Sequence, residues 1–193
     1  MKSVRPYSTI AIVSTLSALW GIAYITGIWG LQETLGFPSK AQSPEVLVFY
    51  TGMKLSGPIR EQGQWWRLLS SSFVHLGILH LVCNAYGAWI LGRVLELFFG
   101  WKRLLFLYMS AALFSSTASL LWSDVPSGGA SGVRYSFVGV LLFFGYRYRH
   151  QLPEHLSKAL TTGMLPWVLF SLSLGFWGPI PMDNAAHFAG LIR

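Results

Sequence analysis

The chain alternates long apolar stretches with short polar connections, and this pattern predicts helices long enough to cross a membrane. A first apolar run, at about 8–30, contains no charged residue and follows Lys2 and Arg5. Five further helices are predicted at about 73–98, 104–122, 131–146, 159–177 and 183–193. A helix of about twenty residues spans a hydrocarbon core about 30 Å thick. The expected fold class is therefore all-α, a polytopic membrane helix bundle.

The connection between the first two predicted helices is unusually long. Residues 31–66 are of mixed polarity and contain three prolines, and they end in Trp65-Trp66-Arg67, which is typical of a membrane-interface anchor. We expect an external loop here. The first run exceeds the roughly 7 to 15 apolar residues of a signal peptide, so we expect a retained helix. Gly163 and Pro166 predict a kink in the fifth helix.

Composition narrows the class of protein further. Hydrophobic residues make up 53% of the chain and charged residues only 11%, whereas about a quarter of an average soluble domain is charged. The apolar stretches are too long for barrel strands and do not alternate. The 193 residues fit one domain. Cys83 is the only cysteine, which excludes an intrachain disulfide and a CxxC metal or redox site.

The net charge of +7 is better explained by membrane orientation than by nucleic acid, because the basic residues are dispersed between apolar runs. They flank alternate ends of the predicted helices at Lys2, Arg5, Arg93, Lys102, Arg103, Arg147, Arg149 and Lys158. The amino terminus is therefore expected to be cytoplasmic. This orientation places Ser131 and His187 near the outer ends of their helices.

Two short patterns carry candidate chemistry. Gly129-Ala130-Ser131-Gly132 stands at the start of an apolar helical run, and His187 follows 56 residues after Ser131. A serine alone is ordinary packing material in membrane helices, but a histidine in an apolar span is costly enough to suggest function. A serine hydroxyl becomes a nucleophile when an imidazole takes its proton. The pair predicts a serine nucleophile and its base inside a membrane.

The second predicted helix adds polar groups on one face, since His80 and Asn84 are four residues apart. They could donate hydrogen bonds to a developing oxyanion, or simply bond across helices. Unpaired backbone N–H groups at the start of the fourth helix would add donors. The glycines on either side of Ser131 suit a close approach of backbone to substrate.

Together these residues resemble the rhomboid intramembrane serine proteases, over roughly residues 60–193. The resemblance is carried by Trp66-Arg67, His75 to Asn84, Gly92, Glu96, Gly100, Gly129 to Gly132, and Asp183 to Gly190. It implies a six-helix rhomboid-like core in the bacterial plasma membrane, which cleaves transmembrane segments of other proteins within the lipid bilayer. It also implies a Ser-His dyad without a carboxylate, and no metal or organic cofactor.

The same resemblance implies a role for individual residues. Ser131 would be the nucleophile and His187 the general base. The oxyanion hole would consist of His80, Asn84 and the backbone N–H of Ser131. Tyr135 would pack against the imidazole, with Gly129 and Gly132 as supporting residues.

The sequence departs from the family pattern at two places. Arg134 stands where the family usually has an apolar residue, and we expect it to face a polar cavity or a helix interface, not lipid. The sixth helix offers only about eleven residues, or ~16 Å, so we expect a truncated last helix. Gly190 begins a small-xxx-small pattern whose partner position, 194, lies past the last residue.

Two other interpretations stay open. A catalytically silent rhomboid-like protein would bind membrane helices without cutting them. A metal site could use His75, His80 and His187, but it has no carboxylate or cysteine companion, and the spacing of five predicts different helix faces for His75 and His80.

Overall fold

The computed structural model describes residues 6–25, 52–177 and 182–193, and the all-α prediction is confirmed for them. The helices are α1 Tyr7–Ile25, α2 Ser56–Gln62, α3 Arg67–Ser70, α4 Ile78–Phe99, α5 Trp101–Trp122, α6 Ser131–Arg147, α7 Glu154–Leu160, α8 Leu165–Trp177 and α9 Asn184–Ile192. The end of the first predicted helix, most of the long loop, and Lys2 and Arg5 lie outside the described residues.

Three stretches are long and apolar enough to cross a bilayer: Ile78–Phe99, Trp101–Trp122 and Glu154–Trp177. A shorter apolar helix covers Tyr7–Ala23. The helix that begins at Ser131 has 17 residues and includes the charge of Arg134. At ~1.5 Å per residue it is about 26 Å long. The apolar pattern and the helix lengths therefore agree on a bundle of membrane dimensions.

The second predicted helix was placed too early, because helix α4 begins at Ile78 and not at residue 73. A 3-10 turn covers Ser71–Phe73, and the backbone at Gly77 is extended. The intervening His75 accepts a hydrogen bond from the backbone of Ala130, 55 residues away. The segment that makes this long-range bond is extended, and hydropathy alone cannot distinguish it from helix.

The fifth predicted helix is interrupted more completely than a kink. Helix α7 ends at Leu160, residues 161–164 form a turn, and α8 begins at Leu165. Pro166 is the second residue of α8, where its missing N–H has no intrahelical acceptor to lose. The proline therefore starts a new helix and does not bend an existing one.

Helix α6 lies at the centre of the bundle. Its residues Val133, Phe137 and Leu141 are almost completely buried, and they share one core with helices α4 and α5. On another side, small residues bring α9 close. A Cβ added at Gly139 would lie 2.2 Å from the carbonyl oxygen of Leu191. Close backbone packing of this kind holds helices together in lipid, where the hydrophobic effect does not drive their association.

Glu96 joins helix α4 to the start of helix α1. Its buried carboxylate accepts hydrogen bonds from the backbone N–H groups of Ser8 and Thr9, each at 2.9 Å, and from the Thr9 hydroxyl at 2.7 Å. The two N–H groups belong to the first turn of α1, where helical N–H groups have no partner in their own helix. The negative charge also opposes the positive end of the helix dipole. Glu96 is thus a cap supplied from a neighbouring helix.

We expect Glu96→Gln to lower the free energy of unfolding by about 2 to 3 kcal/mol, because charge-assisted bonds are lost and an amide N–H₂ meets backbone donors. An unfolding titration in detergent micelles measures this. The matched control is Glu154→Gln, since Glu154 is 81% exposed in its pair with Lys158 and should contribute less than about 1 kcal/mol. Equal losses in both variants would contradict the capping role.

Candidate active site

The loop that leads into Ser131 is held by bonds to distant residues. The N–H of Gly129 donates to the carbonyl of Ser71 at 2.8 Å, and the N–H of Ala130 donates to His75 Nε2 at 3.3 Å. Just before them, Lys54 and Ser127 exchange two backbone hydrogen bonds of 2.8 and 3.1 Å. Ser131 is consequently presented as the first residue of helix α6, where the N–H groups of the first turn have no intrahelical acceptor.

Gly129 is required by both conformation and space. Its φ of 115° lies in a region that side chains rarely allow. A Cβ at this position would also lie 2.7 Å from two ring atoms of His80. The glycine therefore lets the loop pass directly against the His80 imidazole.

Ser131 and His187 meet across the interface of helices α6 and α9. The distance from Ser131 Oγ to His187 Nε2 is 2.9 Å, and His187 is 5% exposed. The Tyr135 ring stacks on the imidazole, with ring centroids 4.5 Å apart and planes inclined by 30°. The Tyr135 hydroxyl donates to Ser171 Oγ of helix α8 at 2.7 Å. The structure thus brings together the three residues that the sequence proposed for the nucleophile, the base and the packing ring.

Asp183 does not bond to the imidazole, although it lies four residues before His187. One carboxylate oxygen accepts the Ala186 N–H at 3.0 Å and caps helix α9, and the other accepts the Ser119 hydroxyl of helix α5. His187 Nδ1 has no hydrogen-bond partner among the described residues. Asp183 therefore fixes the start of the helix that carries His187. The sequence signal was an aspartate just before an apolar helical run, which is a typical N-cap.

Helix α9 is seated on α6 through small residues. A Cβ at Gly190 would lie 2.2 Å from the carbonyl oxygen of Gly132, and the Ser136 hydroxyl donates to the carbonyl of Gly190 at 3.0 Å. Gly190 also belongs to a small-xxx-small pattern that runs toward the start of the helix. Its small companion on the same helix is Ala186, four residues earlier, and the surface it meets is Gly132 and Ser136 of α6.

His80 and Asn84 lie beside this pair, on the first two turns of helix α4. Asn84 is 2% exposed, and its Nδ2 donates to the carbonyl of His80 at 2.9 Å. The same Nδ2 is 3.7 Å from the position of a Cβ on Gly129. The amide nitrogen and the His80 ring therefore both border the loop that ends at Ser131.

The prediction that His75 and His80 lie on different helix faces was wrong, because His75 precedes helix α4. The two rings meet edge to face with centroids 5.0 Å apart. His75 is bonded to the backbone of Ala130. Among residues 6–25, 52–177 and 182–193, no group of three or more histidine, cysteine, aspartate or glutamate side chains is arranged to hold a metal ion.

Lys54 is a positioning residue that the sequence did not reveal, since a lone lysine in a mixed loop has no pattern. It is fully buried, and its ammonium donates to the carbonyls of Ser123 and Val125 at 2.7 and 2.8 Å. Burial lowers the pKa of Lys54, and the carboxylates of Asp183 and Asp124 oppose this shift. These bonds hold the turn that precedes Ser127, and so stabilise the approach to Ser131.

The candidate site lies at one end of the bundle and basic residues lie at the other. Gly129 is bonded to Ser71 just before helix α4, whereas Phe144 near the end of α6 packs on Phe99 at the end of α4. Helices α4 and α6 therefore run in the same direction. The end opposite the site has Lys102, Arg103, Arg147, Arg149 and Lys158.

Comparison with known proteins identifies the class of this helical membrane protein. The family described as the Rhomboid domain matches residues 62–193, and this chain belongs to the rhomboid family. It is 34% identical over 131 residues to Rhomboid protease GluP of Bacillus subtilis (strain 168). The matched region covers 68% of this chain and 25% of that protein. Rhomboid protease GlpG of Yersinia pseudotuberculosis serotype I (strain IP32953) is also 34% identical over 131 residues, covering 67% of this chain and 45% of the relative.

Family membership and the apolar helices make the chain an integral membrane protein. The chain spans less than half the length of these two curated relatives. The matched region contains Ser131, His187, His80 and Asn84. The residues that meet in the structure are therefore all within the part of the chain that defines the family.

We expect Gly190→Ala to lower the free energy of unfolding by about 1 to 3 kcal/mol, because the added methyl would overlap a backbone carbonyl that cannot move aside. Thermal unfolding in detergent measures the loss. The control is Gly57→Ala in helix α2, where an added Cβ meets nothing within 4 Å. Unchanged unfolding of Gly190→Ala would contradict the close seating of α9 on α6.

Proposed function

We propose that this rhomboid-family protein is an intramembrane serine endopeptidase that cleaves transmembrane segments of other membrane proteins. The observation that carries the proposal is the 2.9 Å contact between Ser131 Oγ and His187 Nε2, in which His187 is buried and Ser131 is half-buried within an apolar bundle. A nucleophile within hydrogen-bond reach of its base is the arrangement that acyl transfer requires. The names of the relatives, both rhomboid proteases, support the same reaction class.

The chemistry follows from the donor and acceptor atoms of the pair. Neutral His187 with its proton on Nδ1 leaves Nε2 free to take the hydroxyl proton as Ser131 Oγ attacks the scissile carbonyl. The imidazolium then gives that proton to the leaving amine, and an acyl-enzyme remains. Water gives a proton to the same nitrogen as it attacks the ester carbonyl. The imidazolium then returns that proton to Ser131 Oγ as the C–O bond breaks, which releases the acid product and restores both residues.

Tyr135 is proposed to hold the imidazole during these transfers. Its ring stacks on His187, and its hydroxyl is anchored to Ser171 on another helix, so that the imidazole cannot rotate freely. Its π face also favours the imidazolium that forms. This arrangement supports a two-residue mechanism, since a carboxylate beside the imidazole would be costly in an apolar bundle.

The oxyanion of the tetrahedral intermediate would be bound by the N–H of Ser131, by Asn84 and by His80. The first is an unpaired donor at a helix N-terminus. Asn84 Nδ2 and the His80 ring lie against the loop that precedes Ser131. Donors held in place before the reaction stabilise developing charge without reorganisation, which makes such a site effective.

The proposed orientation has a cytoplasmic amino terminus and an external active site, in the plasma membrane of a bacterium. Basic residues favour the cytoplasmic side, and they lie at the bundle end opposite Ser131. The named relatives are bacterial. An external site also gives water a route to the acyl-enzyme.

We expect Ser131→Ala and His187→Ala each to abolish cleavage of a model transmembrane substrate while the protein stays inserted and folded. Either residue alone lacks its proton-transfer partner. Labelling with a fluorophosphonate in detergent gives a second readout, in which Ser131→Ala is the blank. Cleavage near the wild-type rate by Ser131→Ala would contradict the mechanism, and a wild type that neither cleaves nor labels would favour a silent helix-binding protein.

Orientation is tested by cysteine accessibility on a Cys83→Ala background. Gln62 in helix α2 and Arg149 after helix α6 are both exposed and lie at opposite ends of the bundle. We expect Gln62→Cys to react with an impermeant maleimide added to intact cells, and Arg149→Cys to react only after lysis. The opposite result would place the active site on the cytoplasmic side.

A further inference from the structure

Arg134 is a charged residue one helical turn after Ser131, in a family position that the sequence suggested should be apolar. Its guanidinium group contacts residues of other helices. Its Nη1 donates to Oδ1 of Asn84 at 3.4 Å, and its carbon lies 5.3 Å from the centroid of the Trp167 ring. A Cβ at Gly87 would lie 2.3 Å from Nε. The space that a side chain at position 87 would fill is therefore occupied by the guanidinium.

No carboxylate among the described residues neutralises this charge. The ion pairs found there join Arg60 to Asp124 and Lys158 to Glu154. The Nε atom of Arg134 is buried and has no acceptor in the described part of the chain. A cation is expensive in an apolar bundle, and structural packing alone would be served better by an apolar side chain. Asn84, the hydrogen-bond acceptor that Arg134 has within the described ranges, is the residue assigned to the oxyanion.

The bond from Arg134 to Oδ1 and the bond from Nδ2 to the His80 carbonyl both set which way the Asn84 amide points. An amide can rotate by half a turn and exchange its oxygen and nitrogen, because its terminal torsion has two nearly equivalent states. With Oδ1 accepting from Arg134, Nδ2 points to the carbonyl of His80 and to the Gly129 loop. The rotated amide would set its N–H₂ donors against the guanidinium donors. The cation therefore disfavours the rotated state.

We propose that Arg134 is a positioning residue that holds the Asn84 amide with its nitrogen toward the Ser131 loop and polarises it. A cation that donates a hydrogen bond to Oδ1 draws electron density from the amide and strengthens its N–H groups as donors. Trp167 covers the guanidinium from helix α8 through a cation–π contact. This assignment rests on the proposed protease function, since it acts on the oxyanion donor of that mechanism.

The test is a double-mutant cycle with Arg134→Met, Asn84→Ala and the double variant, assayed on a model transmembrane substrate. We expect Arg134→Met to lower kcat about tenfold, a fraction of the 10² to 10³ that one oxyanion donor supplies, with KM changed less than about twofold. On the Asn84→Ala background the same substitution should change kcat less than about twofold. Arg134→Gln, whose amide can donate to Oδ1 but has no charge, should recover part of the loss.

Several outcomes would overturn the proposal. Additive effects in the cycle would mean that Arg134 acts independently of Asn84, and a change confined to KM would indicate direct contact with substrate. Arg149→Met, an exposed arginine far from the site, is the matched control and should keep the wild-type kcat.

Unfolding of the same variants in detergent separates this proposal from the proposed function. We expect Arg134→Met and Asn84→Ala to be non-additive in unfolding as well, because the contact exists without substrate. Additive unfolding would overturn the contact itself, whether or not the protein cleaves. Coupling in unfolding with none in kcat would reduce Arg134 to a structural role. A wild type that neither cleaves nor labels would contradict the protease function, and the unfolding cycle would still test the contact.

Discussion

The close seating of helix α9 on helix α6 is the contact on which the candidate site depends. His187 and Ser131 belong to different helices, and Gly190 lets the backbone of α9 approach the carbonyl of Gly132 closely enough for the 2.9 Å contact between them. In lipid, apolar side chains gain nothing by leaving their surroundings, so close packing and hydrogen bonds must hold the helices together. The small residues are therefore as necessary to the site as the two polar ones.

Polar groups at the bundle ends complete what the small residues begin. Glu96 caps α1, Asp183 caps α9 and bonds to Ser119, and Lys54 bonds to the carbonyls of the turn before Ser127. Each forms hydrogen bonds with backbone groups that would otherwise have no partner. An unpaired backbone group costs free energy where water is scarce. The bonds of Asp183 and Lys54 stabilise the start of α9 and the loop that leads into α6, and hence the positions of His187 and Ser131.

Arg134 is a charged residue that three neighbours accommodate inside the bundle. Gly87 makes room for it, Trp167 covers it, and Asn84 accepts its hydrogen bond. The expectation that it faces a helix interface is confirmed by these contacts. These three neighbours belong to two other helices.

The sequence alone determined the all-α class, the approximate helices, the Ser131 and His187 pair and the face shared by His80 and Asn84, because apolar periodicity and residue chemistry are local properties. Only the tertiary structure decided that residues 74–77 are not helical, that residues 161–164 break a helix, and that Asp183 caps α9 instead of bonding to His187. It also decided the direction of the Asn84 amide. These features depend on groups tens of residues apart, such as His75 and Ala130, whose meeting no local pattern records.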